Sequence, residues 1–228
     1  MAMKIVVVSK TAYVGSNPTT PAMKYTYATL LSTDDYIWGI IGLNYSLKLV
    51  NTKYPLLCIA TTEISQFTLN LLKKYNIEYV VEPHLSFIEE SCYQTTLNKV
   101  YAWTLDYDKI LYLDGDLIIE KNMDYLFDYP APIFKYAVKY NFEQHISVVT
   151  ICGECFLIAP NKKLFEVMSQ EYFLKNDEEI LDKYFLQRYL PTYDFPQVII
   201  GDEIKPIKKR YWENVPDIFS FIEEYTKK

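Results

Sequence analysis

The sequence predicts an α/β fold, a single domain on a mostly parallel mixed sheet flanked by helices. Three observations carry this reading. Apolar, β-branched runs alternate with segments of helical period along the chain, the order that builds parallel sheets. No internal repeat, low-complexity tract or composition shift divides the 228 residues, and 50% of them are hydrophobic, enough for one sizeable core. The run Lys109-Ile110-Leu111-Tyr112-Leu113 leads straight into Asp114-Gly115-Asp116 and then Leu117-Ile118-Ile119. That delivers two carboxylates at a strand's carboxyl end, where open α/β sheets bind their ligands.

Taken in order, Lys4-Ile5-Val6-Val7-Val8 is a candidate strand and Thr11 to Ala22 a polar loop or tail. Residues 1–22 read as an N-terminal extension or a first strand plus loop, and residues 23–228 as the main domain. The segment Tyr25 to Leu31 reads as a strand. Ser32 or Thr33 is placed to cap a helix from about Asp35 to Leu49, with Ile37, Ile40, Ile41, Tyr45 and Leu49 on its sheet-facing side. Pro55 to Ala60 is the next strand, Ser65 to Tyr75 a helix, Glu78 to Val81 a strand and Thr95 to Trp103 a helix. After the Asp114 strand come a turn or short helix at Asn122 to Phe127 and one or two strands within Ile146 to Ala159. Helices follow at Asn161 to Tyr172 and Asp177 to Leu190, then a late strand at Gln197 to Ile200 and a last helix at Val215 to Tyr225.

Composition narrows the function classes. A net charge of −6 argues against non-specific binding to nucleic acid or anionic membranes. No apolar run approaches the ~20 residues a spanning helix needs. The aliphatic run Ile5 to Val8 is too short for a secretory signal core, so the expected location is cytoplasmic. The pair Cys152 and Cys155 lacks a matching second pair at zinc-finger spacing and reads as buried strand thiols. With His84 and His145 as the only histidines, histidine-rich metal sites are excluded. Neither a G-x-G-x-x-G nor a P-loop motif is present. Any bound phosphate must therefore be neutralised by a metal and lysines.

Asp114 and Asp116 are the sharpest signal. In an extended backbone, residues i and i+2 point the same way, so the two carboxylates can share a divalent cation. Hard oxygen ligands suit Mn²⁺ or Mg²⁺. Gly115 between them lets a bulky ligand approach the backbone. A second match, Asp106-Tyr107-Asp108, precedes the strand and reads as a solvated turn.

Several segments in order resemble glycosyltransferase family 8, the family of glycogenin and related retaining sugar transferases. They are Tyr27 to Gly39, Thr96 to Trp103, Asp108 to Phe127, Asn176 to Leu181, and Gly201-Asp202-Glu203-Ile204-Lys205-Pro206. The resemblance implies a GT-A fold, a UDP-sugar donor (UDP-glucose or UDP-galactose) and Mn²⁺. It also implies a hydroxyl acceptor that is a glycan, a protein or a polyol, and leaves a homodimer open. By position, Leu30, Thr33 and Tyr36 would meet the uridine, and Asp114 and Asp116 the metal. Lys99, Gly201 and Lys205 would meet the donor, and Asp177 would sit beside the transferred sugar. Lys99 and Asp177 are thus the expected catalytic residues.

This chain departs from the family's pattern in places. Val198 stands where the family has a metal-binding histidine, and Leu174 where it has a carboxylate. The family's Asn-Ser-Gly falls near Cys152-Gly153-Glu154, and its sugar-facing arginine has no clear counterpart. Two rivals follow: a nucleotide-sugar-binding module without turnover, and another metal-dependent nucleotidyl or phosphoryl transferase.

Overall fold

The computed structural model describes residues 4–7, 23–88, 94–141, 146–186, 197–198, 204–206 and 211–227. The strands are β1 (Lys4–Val7), β2 (Tyr25–Leu31), β3 (Leu56–Thr61), β4 (Glu78–Glu82), β5 (Lys109–Leu113), β6 (Leu117–Ile119), β7 (Ile133–Asn141), β8 (Ile146–Ile158), β9 (Gln197–Val198) and β10 (Ile204–Pro206). The helices are α1 (Ile37–Leu49), α2 (Gln66–Lys74), α3 (Lys162–Met168), α4 (Asp177–Leu181) and α5 (Ile218–Thr226). Among the described residues, eight strands make one sheet in the order β4-β3-β2-β5-β8-β7-β1-β9, and β10 pairs separately with β6.

The fold is α/β with a mixed sheet flanked by helices, as expected. Its parallel part is β4-β3-β2-β5; from β5 onward every pairing is antiparallel. The antiparallel share is larger than the alternating pattern suggests, because β7 is not among the elements read from the sequence. Its sequence alternates, with Lys135 and Lys139 in the places between the large apolar residues Phe134, Tyr136, Val138 and Tyr140. Lys135 is nevertheless buried, since it finds an acidic partner in Glu154.

Strand parity sorts the core into two layers. Tyr27, Leu31, Leu111 and Leu113 pack under α1 and α2, together with Ile40, Ile41 and Leu72. Ala28, Ile110 and Tyr112 face the other way, onto Leu97, Val100, Trp103 and Ile180. This alternation is the period-2 geometry of a strand buried on both faces.

Some local expectations need correction. Thr33 does not cap a helix with its side chain; Asp34–Tyr36 is a tight 3₁₀ turn, in which Tyr36 N–H donates to Thr33 O. The Asp34 carboxylate instead accepts from Ser65 N–H at 3.1 Å. Residues Gln94–Thr104 wind as 3₁₀ helix. There the Asn98 side chain donates to Thr95 O, its own i−3 carbonyl, and also bridges Leu85 N–H and O. Such local side-chain bonding competes with α-helical pairing. Leu49 is exposed, whereas Leu43 and Leu47 are buried in the sheet-side core, and Tyr45 turns instead to α5, which covers the outer side of α1, where its ring meets Phe219. The helix expected over 177–190 is α-helical only to Leu181 and continues as a π turn to Leu186; residues 187–190 lie outside the described residues.

Candidate active site

β5 ends at Leu113, and the chain then turns. Leu117 N–H donates to Asp114 O at 3.3 Å, so Asp114-Gly115-Asp116 is a tight turn into β6 rather than extended strand. The same-side argument for residues i and i+2 therefore does not apply here. A turn at the carboxyl end of β5 performs the placement instead. Gly115 serves packing: a Cβ on it would lie 3.0 Å from Ile40 Cγ1 of α1. On α1 itself, a Cβ on Gly39 would meet the Gly115 carbonyl at 2.5 Å and the Trp212 ring at 2.4 Å. Two glycines thus let the first turn of α1 rest on the aspartate turn, with Trp212 over the junction. Trp212 Nε1–H donates to Asp35 O, and its ring meets Tyr36 edge-on at 5.4 Å.

Lys99 lies at the centre of the site. The 3₁₀ helix aims it inward; it is 7% exposed rather than solvated. Its Nζ lies 2.9 Å from Asp114 Oδ1, 3.1 Å from Asp114 Oδ2 and 2.9 Å from Asp177 Oδ2, and donates to Gly153 O at 3.1 Å. It also stands 5.6 Å over the Tyr112 ring, a cation–π arrangement. The Tyr112 hydroxyl donates to Asp114 Oδ1 at 3.1 Å. Asp177 opens α4, but Asn176 does the capping, accepting from Glu179 N–H at 3.0 Å. That leaves the Asp177 carboxylate, 6% exposed, to turn inward.

The charges are unequal. Lys99 is paired with two carboxylates, Asp114 and Asp177, and Asp116 adds to the repulsion felt at Asp114. Asp114 registers this: its carboxyl is pushed up to about 6, first by burial, then by repulsion from Asp177 and Asp116, against the pull of Lys99. Burial alone would discharge Lys99, but Asp114 and Asp177 outweigh it and hold the ammonium above its ordinary value. The Tyr112 hydroxyl is raised by burial and by the same carboxylates. Two carboxylates with excess negative charge suit a divalent cation. Among the described residues, no group of three or more His, Cys, Asp or Glu could hold one.

The other sequence candidates distribute as follows. Leu30, near the end of β2, packs against the layer that holds Tyr112 and Trp103; Thr33 and Tyr36 lie in the turn leading into α1. The backbone of Lys205 sits in β10 opposite Ile118, and Pro206 opposite Leu117, the residue after Asp116. Gly201 lies outside the described residues, as do Asp202, Cys92 and His145. Cys58, Cys152 and Cys155 are buried thiols outside any disulfide, as expected of strand cysteines. In the second Asp-x-Asp, Asp108 accepts from Lys24 N–H at 2.6 Å and tethers the start of β2. Tyr112 and Trp212 escape the sequence reading, and Gly153 enters it only through Cys152-Gly153-Glu154, the place of the family's Asn-Ser-Gly. The apolar strand before Asp114 contains the first, but nothing in it distinguishes a liganding hydroxyl from core.

A family model described as glycosyl transferase family 8 matches residues 28–179. Protein R707 of Acanthamoeba polyphaga mimivirus is 31% identical over 173 residues, 67% of this chain and 61% of its own length. Galactinol synthase 3 of Arabidopsis thaliana is 32% identical over 124 residues, 51% of this chain and 37% of that protein. The UDP-glucuronate:xylan alpha-glucuronosyltransferase 2 of the same plant is 32% identical over 109 residues, 46% of this chain and 18% of that protein. The matches thus span from under a fifth to about three-fifths of these relatives. Among solved structures, the galactosyltransferase LgtC bound to donor and acceptor sugar analogs aligns with a TM-score of 0.47 and 15% identity, covering 69% of each chain. GlyE of Streptococcus pneumoniae TIGR4 aligns at 0.46 and 18%, covering 71% of this chain and 44% of GlyE. The family match spans two-thirds of the sequence and includes Lys99, Asp114, Asp116 and Asp177: this chain belongs to glycosyltransferase family 8.

Proposed function

We propose that the protein transfers a hexose from a UDP-sugar, UDP-glucose or UDP-galactose, to a hydroxyl acceptor, with retention and with a divalent cation. The observation that carries the reading is one buried lysine bridging Asp114 and Asp177 at the carboxyl end of β5, with Asp116 beside them. A relative whose name specifies UDP-glucuronate supports a uridine nucleotide. The transferase unit would be residues 23–228.

Breaking the anomeric carbon–oxygen bond leaves negative charge on a diphosphate. Fixed cations aimed at that charge lower the barrier without reorganising during the step. Asp114 and Asp116 would hold Mn²⁺ or Mg²⁺, which would supply positive charge against the diphosphate. Lys205, on the strand beside the aspartate turn, would meet the same phosphates, as would Gly201. Lys99 would hold Asp114 and Asp177 in place and meet the donor sugar or ribose. Asp177 would orient the sugar and stabilise positive charge developing on its ring. Leu30, Thr33 and Tyr36 would flank the uridine. The acceptor would be a glycan, a protein or a polyol.

Calorimetry with UDP and Mn²⁺ tests the reading. Unmodified protein is expected to bind UDP more tightly with the metal than without it, and Asp116→Ala to lose that increment. Absence of any metal-dependent UDP affinity in unmodified protein would sink it. Val198, in the position of the family's histidine, favours one second reading: a nucleotide-sugar binder without turnover. Donor binding with no UDP release across glycan, protein and polyol acceptors would support that instead.

A further inference from the structure

β8 does not pair with β7 in a single register. Phe134 stands opposite Phe156, yet the next residue, Lys135, stands opposite Cys152. Gly153, Glu154 and Cys155 are therefore extra on one strand, an enlarged bulge. On the other side the ladder is intact. Cys155 pairs with Leu113, and Asp114 N–H donates to Glu154 O at 2.9 Å. The bulge thus lies along the strand that delivers Asp114.

Two groups of the candidate site rest on this bulge. The Gly153 carbonyl receives the third contact of Lys99 Nζ, after the two carboxylates. Asp177 lies so close to Gly153 that a Cβ there would be 2.0 Å from its Oδ2. Where the bulge sits therefore decides where the Lys99 ammonium points and how deep the Asp177 carboxylate can lie.

Backbone that leaves a ladder needs other contacts to fix it. One such contact is ionic: Lys135, 3% exposed, pairs through Nζ with Glu154 Oε1. It ties the residue where the β7 register slips to the middle residue of the bulge. A lysine buried this deeply is tolerated only when paired, and a charged pair accepts a narrower range of geometries than apolar packing does. The pair is also neutral, so it adds nothing to the charge imbalance around Lys99. Its contribution is to position.

We infer that Lys135 and Glu154 are a positioning pair: their contact fixes the β8 bulge, and the bulge fixes Lys99 and Asp177 in the arrangement used for transfer. The inference rests on the glycosyl-transfer reading above.

The test uses the full chain carrying Glu154→Gln, the double variant Lys135→Met/Glu154→Met, and Lys135→Arg. The first removes one charge at constant shape. The second replaces the pair by apolar side chains, a change buried ion pairs commonly survive. With UDP-glucose and Mn²⁺, UDP release is expected to fall about 10–100-fold in kcat in the first two, with donor KM changed less than about threefold. Loss in the double variant separates position from charge, because no uncompensated lysine remains. Lys135→Arg, which keeps the contact, should retain kcat within about threefold. A folded Glu154→Gln or double variant with kcat within about twofold of the unmodified protein would overturn the inference.

A second readout is independent of turnover. The ¹⁵N ammonium signal of Lys99, identified by its loss in Lys99→Arg, should shift in Glu154→Gln and in the double variant without any substrate. An unmoved signal overturns the positioning role even if UDP-glucose is never turned over. A shifted signal in a protein without metal-dependent UDP affinity would instead bring down the functional reading and leave the positioning role standing.

Discussion

Gly153 and Asp177 touch. The Asp177 carboxylate occupies the place a side chain at 153 would need, so that a Cβ there would lie 2.0 Å from Asp177 Oδ2 and 3.1 Å from its Cγ. Gly153→Ala must therefore push Asp177 away from Lys99. We expect kcat to fall on the order of 10²-fold, the scale of a misplaced catalytic group, with a stability loss of about 1–3 kcal/mol. Turnover of UDP-glucose and thermal melts measure the two effects. Wild-type kcat would show that Asp177 needs no fixed position.

Removing the lysine is expected to cost more stability than removing any one carboxylate. Lys99→Met leaves Asp114 and Asp177 facing each other without a counter-charge, and breaking a buried pair this way costs about 3–5 kcal/mol. The variant should recover stability on acidification, because protonating one carboxylate relieves the repulsion. Urea unfolding at pH 5 and pH 8 tests this: the gap between variant and unmodified protein should narrow at the lower pH.

Asp114 sets a pH dependence with a definite sign. Its folded value is raised from 3.8 to about 6, so the folded state holds this proton more tightly than the unfolded chain. Its contribution to folding is least favourable above about 6 and is relieved as pH falls toward 3.8. Binding of the proposed cation would run the opposite way, since its ligand must be ionised. Mn²⁺-linked UDP affinity should fall by up to about tenfold per pH unit below 6, with proton release on binding detectable by calorimetry in buffers of different ionisation enthalpy. A flat profile between pH 5 and 7 would exclude Asp114 as the titrating ligand.

Gly39 faces backbone and a ring, neighbours less able to yield than the side chain facing Gly153. An added methyl group meets the backbone carbonyl of Gly115 and the Trp212 ring together. Gly39→Ala should destabilise by about 1–3 kcal/mol or more and shift Trp212 emission to the red as the indole is displaced. Gly39→Ala/Trp212→Ala should recover only part of the loss, because the Gly115 carbonyl remains in the way. Equal stability of Gly39→Ala and the parent would contradict the close approach of α1 to the aspartate turn.

Much of this architecture could be read from the sequence because it is local. β2 matches its expected bounds of Tyr25 to Leu31 residue for residue, and Ser65 caps α2 through its hydroxyl, with Thr68 N–H as donor. Lys99, Asp114 and Asp177 were expected at one site and do meet. The geometry that joins them was not legible. Lys99 reaches Gly153 across 54 positions, through an antiparallel β5–β8 pairing and a register slip that leave no periodic trace. The alternating run Phe134 to Tyr140 carries a strand signal for β7; what it does not carry is the burial of Lys135, whose partner lies 19 residues away. At Gly115 the sequence shows a missing side chain but not the helix α1 that lies over it.

The closing helix has a reach beyond its own length. α5 covers the outer face of α1, Trp212 from the preceding turn lies on Gly39, and Gly39 lies on the Gly115 carbonyl between the two acidic residues. Residues 211–226 thus act as a strap across α1 whose hold reaches the Asp114–Asp116 turn. Removing them would loosen that turn.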